Sequence, residues 1–226
     1  MKSIVITCAT IRKEIDQAIS KTGFTSPVLY LEAGLHNYPK KLHLALQELL
    51  NRVANVDQVL LVMGYCGNAV LDLEARDYRL LIPRADDCLT MLLGSQKRRL
   101  EVQNEKQTYF FSPGWLDHFE DLEKDMVQGR ARMEQRYGKE KARKLFREMF
   151  KHYRRAGLID TGTFELDELL VKAQQRAAEM ELDCEVIPGT MSYLEKFLAG
   201  PWEKKDFIIL QPGEKVHYSH LFGNEA

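Results

Sequence analysis

The apolar run Val59-Leu60-Leu61-Val62-Met63 ends at Gly64-Tyr65-Cys66-Gly67. A continuous run of this kind reads as a strand covered on both faces, as in a parallel sheet flanked by helices. The glycines after it let the backbone turn tightly. Ile4-Val5-Ile6 repeats the signal within a strand read from Lys2 to Thr7, where β-branched residues follow one another. Further strands are read at Val28–Leu31, Arg79–Ile82, Thr108–Phe111, Gly157–Ile159, Cys184–Ile187 and Phe207–Leu210.

Helical patterns separate most of these strands. Thr10 is placed to cap a helix whose inner stripe is Ile11, Ile15, Ala18 and Ile19, closed by Lys21-Thr22-Gly23. Pro39 opens a long helix to about Ala54, and a short helix is expected after Gly67. Asp86 or Asp87 caps a helix carrying Cys88 in its first turn, and Ser112-Pro113-Gly114-Trp115 opens another. Two more are read up to Met180 and from Met191 to Leu198. Residues 120 to 155 are strongly charged and helical in pattern, with Met126, Met133, Leu145, Phe146, Met149 and Phe150 as the expected inner stripe. The fold class is therefore α/β: an open, mostly parallel sheet with helices on both faces and a charged helical insertion at 113–156. No internal repeat, low-complexity tract or Ser/Gly linker marks a boundary, so residues 1–226 are read as a single domain.

Charge narrows the partners. With 32 basic and 33 acidic residues, no global field recruits nucleic acid. The opening apolar run is too short for a signal peptide and no later run approaches a membrane span, so a cytoplasmic protein without a membrane partner is expected. Four cysteines are too few and too scattered for a secreted disulfide scaffold.

Their placement is the main functional signal. In an open parallel sheet the loops leaving the strand carboxyl ends gather at one edge, where ligands bind. Cys8 directly follows the first strand, Cys66 lies just past the third, and Cys88 opens the helix after the fourth. Helix amino termini and free loop amides favour the thiolate, the form that ligates metal or attacks carbon, and Cys8 and Cys88 meet that condition. Converging thiolates repel one another without a cation. An iron-sulfur cluster with one iron open to substrate, or zinc with a free fourth position, resolves this. The competing reading makes the cysteines small hydrophobes filling strand ends, and no C-x-x-C pair speaks against it. Cys184 begins a strand at the opposite edge and is assigned to the core.

Other candidates carry equally open readings. His36 leaves the second strand on the productive edge as a fourth ligand, an acid/base or a loop-packing residue. Asp86 and Asp87 read first as a helix cap, and Asp160 with Thr161 either caps the next helix or reaches into the cleft. Asn37, Gly67, Arg155 and Thr161 are candidate substrate contacts, Arg155 coming from the basic Lys151-His152-Tyr153-Arg154-Arg155 cluster. Lys97-Arg98-Arg99 reads as a solvated helix face or as a hold for an anionic substrate, and His217 and His220 as surface residues. No GxGxxG, Walker loop, HExxH or nucleophile elbow occurs.

Ile6-Thr7-Cys8, Leu35-His36-Asn37 with Pro39, Gly64-Tyr65-Cys66-Gly67, Ile82-Pro83 with Asp87-Cys88 and Gly94-Ser95, Thr108-Tyr109-Phe110 and Leu158-Ile159-Asp160-Thr161-Gly162 form an ordered series. This series resembles the domain-of-unknown-function 1638 family of anaerobic bacteria and methanogenic archaea. The resemblance implies Cys8, His36, Cys66, Cys88 and Asp160 as site candidates, and an association with corrinoid-dependent methyltransferase systems. Gly67-Asn68-Ala69 departs from it, since similar proteins look richer in glycine after the second cysteine.

Three functions remain in competition. The preferred one is a metal-dependent lyase or transferase acting on a small molecule, with Cys8, Cys66 and Cys88 holding an iron-sulfur cluster or zinc and His36 and Asp160 as ligand or acid/base. The second is a non-catalytic accessory protein that handles a metal or a corrinoid protein partner for a methyltransferase. The third is a metal-free small-molecule binder. The charged segment 120–155 is long enough to pack against a second subunit, as in a homodimer.

Overall fold

β-Branched and aliphatic runs become strands, and the first four lie side by side, the third fully buried, the first and fourth largely so, and the second, at the edge, only partly covered. A computed structural model describes residues 1–118 and 124–223, and the side chains of all of these except 124–127. β1 (Ser3–Cys8), β2 (Val28–Leu31), β3 (Gln58–Val62) and β4 (Arg79–Pro83) are parallel neighbours in the order β2-β1-β3-β4. Thr7 pairs with Val62, and Cys8 with Leu31. The free edge of β4 is closed by β8 (Phe207–Leu210), which runs antiparallel with Leu80 opposite Leu210.

That antiparallel edge has a topological consequence. With β4 already partnered, the next parallel strands build a second sheet, β5 (Thr108–Phe111), β6 (Arg155–Asp160) and β7 (Cys184–Pro188), in the order β5-β6-β7. The fold is α/β with mostly parallel strands, divided between two sheets that the pattern along the chain does not separate.

Three apolar layers hold it together. One lies between the sheets, joining Val5, Leu60 and Leu81 to Phe110, Ile159 and Ile187. Its helices are α1 (Arg12–Thr22), α3 (Cys88–Leu93), α4 (Gln96–Glu105) and α9 (Ser192–Ala199). On the outer face of the first sheet, α2 (Pro39–Arg52) buries Leu42, Leu46 and Leu50, and α10 (Tyr218–Phe222) adds Leu221. Over the second sheet pack α5 (Pro113–Asp117), α7 (Lys139–Phe150) and α8 (Leu166–Glu179). α6 (Lys124–Tyr137) precedes α7, and with α5 these helices form the crossover from β5 to β6.

Several local expectations change. Ile11 is the N-cap of α1 and makes no side-chain cap; the Thr10 hydroxyl instead lies 3.0 Å from Cys8 Sγ. Residues 66–72 form turns and not a helix, because Cys66, Gly67 and Asn68 have φ of 45°, 68° and 66°, outside the right-handed region. In α7 the inner stripe is Ala142, Phe146 and Phe150, spaced four apart, so Leu145 and Met149 are turned to solvent. Met133 is partly buried against the same layer, and the Met126 side chain lies outside the described residues. No described helix is long and apolar enough to cross a membrane.

Candidate functional site

The strand order places β2 on one side of β1 and β3 on the other, so the loops leaving β1 and β3 diverge and open a crevice at their carboxyl ends. A cavity of about 460 Å³ occupies this edge, and Cys8, His36, Asn37, Cys66, Gly67 and Cys88 all line it. Cys8 is the last residue of β1, His36 and Asn37 belong to a 3-10 turn after β2, and Cys88 is the first residue of α3. The opposite wall comes from the second sheet and its connections, through Tyr109, Phe110, Trp115 and Tyr153.

The loops after β3 and β4 are locked together. The Tyr65 amide donates to Ala85 O and the Cys66 amide to Asp86 O, each at 2.9 Å. A Cβ on Gly64 would stand 2.3 Å from Asp87 Cα, so only glycine allows this approach. Cys66 itself sits at positive φ, a conformation that costs a non-glycine residue about 1–3 kcal/mol and concentrates at functional sites.

Asp87 is the hub of the polar wall. Its Oδ1 accepts from the Thr90 amide at 3.0 Å as the α3 N-cap, and pairs with Arg99 Nη1 at 2.8 Å. Arg99 also donates to the Thr90 hydroxyl at 3.1 Å. Asp86 does not cap; its Oδ2 accepts from Gln96 Nε2 at 2.8 Å.

Burial dominates the electrostatics. It pushes the Cys66 thiol up to about 12, with Asp87 and Cys8 adding to the effect. Cys88 is likewise raised well above its ordinary value, through burial first, then Asp87, Cys66, Cys8 and Glu14. The expected preference for thiolate at the α3 amino terminus is thus reversed: burial and the capping carboxylate outweigh the end of a six-residue helix. His36 is lowered by burial, against the pull of Asp87, so it stands neutral at physiological pH.

As donors, three soft thiols and an imidazole suit zinc or an iron-sulfur cluster. As the side chains stand, no group of three or more His, Cys, Asp or Glu among the described residues is disposed to hold an ion.

Three candidates lie elsewhere. Arg155 opens β6 at the amino end and is buried, donating Nε to Thr108 Oγ1 at 2.8 Å and pairing with Glu185 at 2.6 Å. It clamps the second sheet and does not face the cavity. Asp160 Oδ1 accepts from the Gly162 amide at 2.9 Å, shaping its own turn. Thr161 is buried, its hydroxyl 2.8 Å from Thr163 Oγ1 and 3.4 Å from Glu14 Oε1. Cys184 opens β7 against the outer layer of the second sheet.

Sequence reasoning named Arg99 only within a basic cluster and passed over Gln103; the two line the cavity four residues apart on α4. Their spacing on one helical face was the available signal. The aromatic wall carried none, because it depends on how the second sheet docks.

The family model described as "Protein of unknown function (DUF1638)" matches residues 30–198. This chain belongs to that family. No curated protein and no solved structure matches it. The DUF1638 span contains His36, Cys66, Cys88 and the aromatic wall, while Cys8 precedes it.

Proposed function

We propose that this DUF1638 protein is a metal-dependent enzyme that acts on a small molecule in the cavity at the carboxyl edge of its first sheet. Cys8, Cys66 and Cys88 would hold zinc or an iron-sulfur cluster. The observation that carries this reading is that three strand ends, far apart in sequence, each deliver a thiol to one cavity of about 460 Å³, a size suited to small ligands. When bound, the metal supplies a Lewis-acidic position open to substrate.

The protein's own groups supply the remainder. The thiols give up their protons as ligation proceeds. His36, neutral and on the same wall, accepts or returns a proton at an imidazole nitrogen. Arg99 keeps Asp87 in place as the α3 cap and so fixes the backbone that carries Cys88. The rings of Tyr109, Phe110, Trp115 and Tyr153 give the cavity that holds the thiols an apolar lining.

Anaerobic metal and sulfide analysis of the purified wild type beside Cys66→Ser tests the proposal. Zinc, or iron with acid-labile sulfide, is expected near stoichiometric amounts in the wild type and strongly depleted in the variant. Wild type free of both metals, or a variant with undiminished content, refutes it.

A further inference from the structure

The wall opposite the thiols is a joined aromatic panel. Tyr109 makes edge contacts to Trp115 at 6.0 Å and to Tyr153 at 5.2 Å between ring centroids, and all three residues line the cavity. Ring faces attract cations, most strongly where water is excluded.

Charge on the lining points the same way. Glu32, Asp86 and Asp87 stand against Arg99, and Arg99 is already committed to Asp87 at 2.8 Å. Among the described residues no lysine lines the cavity. Asp86 accepts from the neutral amide of Gln96, and Glu32 has no ion pair among the described residues, so neither carboxylate is balanced by a cation of the wall. An anionic ligand entering here meets uncompensated carboxylates; a cationic one is drawn by both charge and rings.

We propose that the cavity takes an organic cation, an amine or alkylammonium group on a small body, seated against Tyr109, Trp115 and Tyr153 with Glu32 and Asp86 as its counter-charge. This inference deepens the preceding reading by naming the ligand class of the same cavity, yet it draws on the opposite wall. Three thiolates around a divalent ion still leave negative charge, so metal loading does not reverse the preference.

The test is calorimetric titration of the full chain, in chelator-treated and zinc-supplied aliquots whose metal content is measured. The probes are choline, its uncharged carbon isostere with tert-butyl in place of trimethylammonium, and benzoate. Choline is expected to bind saturably and roughly tenfold more tightly than the isostere, with benzoate not binding. Glu32→Gln, at an exposed position, is expected to weaken choline by about threefold to tenfold, and Tyr153→Leu similarly, with unchanged melting of the Glu32 variant. Equal affinity for choline and isostere, tighter binding of benzoate, indifference of choline to Glu32→Gln, or no choline binding in either aliquot overturns the inference. A metal-free wild type that binds choline selectively upholds it while overturning the metal reading. Thiol-dependent metal without discrimination between the two probes does the reverse.

Discussion

Replacing Glu14 with glutamine should change how stability depends on pH, and the size of the change follows from its surroundings. Glu14 lies in the first turn of α1 and is 1% exposed. Its Oε1 accepts from Thr161 Oγ1 at 3.4 Å, while Oε2 has no hydrogen-bond partner. Burial raises its pKa from 4.5 to about 7, outweighing its own backbone amide, Thr161 and Lys13, with Asp117 adding to the rise. In the unfolded chain the carboxyl ionises near its ordinary value.

The sign is therefore the reverse of that for a salt-bridged acid. Below about pH 4.5 both states carry the proton and the group contributes no penalty. Between about 4.5 and 7 the folded state holds a proton that the unfolded state has lost, so stability falls as pH rises. Above about 7 both are ionised and the loss is complete. At about 1.4 kcal/mol per pH unit, the total is on the order of 3 kcal/mol. Urea unfolding of wild type and Glu14→Gln at intervals from pH 5 to 8 measures it, because pH effects shared by both proteins cancel in the difference. Because part of the loss already lies below about pH 5, the variant should gain about 2.5 kcal/mol relative to wild type across that range. A difference that stays flat with pH would show that water or a shifted partner stabilises the carboxylate, and the reasoning would fail.

Three further outcomes are expected. Gly64→Ala should cost about 3 kcal/mol or more in urea unfolding, because its new methyl meets the Asp87 backbone at 2.3 Å and that backbone is held by a capped helix. Arg155→Ala should cost about 2–4 kcal/mol by the same assay, leaving buried Thr108 and Val102 oxygens without their donor, while thiol accessibility at the cavity stays unchanged. In chelator-treated protein at pH 8, iodoacetamide should modify Cys66 and Cys88 at least about 100-fold more slowly than a free peptide thiol, read by mass spectrometry; rates equal to the free thiol would contradict the burial assigned to them.

What was legible in the chain was local. Ile4-Val5-Ile6 and Val59–Val62 carry their own strand signal, and Asp87 and Ser112 accept from amides three residues on, as their positions before Cys88 and Pro113 suggest. Because a cysteine's distance from a strand end is a local property, the shared edge of Cys8, Cys66 and Cys88 could be read before any tertiary contact was known. Glu14 was equally readable, since it falls between Ile11, Ile15 and Ala18 on a stripe that must be buried.

The rest depends on pairings distant in sequence. The seat of β8 on β4 decides that β5 starts a new sheet, and it joins residues more than a hundred positions apart. No window around Thr108–Phe111 contains that information, yet it determines which residues face the thiols. Arg155 illustrates the cost of the gap: beside Arg154 in a basic cluster it resembles a ligand contact, whereas its partners Val102, Thr108 and Glu185 come from three other elements. The thiol wall is therefore written in strand-end positions, and the aromatic wall in the docking of the second sheet. A substitution in the apolar layer between the sheets, such as Ile159→Ala, should then loosen the aromatic wall against the thiols without touching either, changing ligand affinity before metal content.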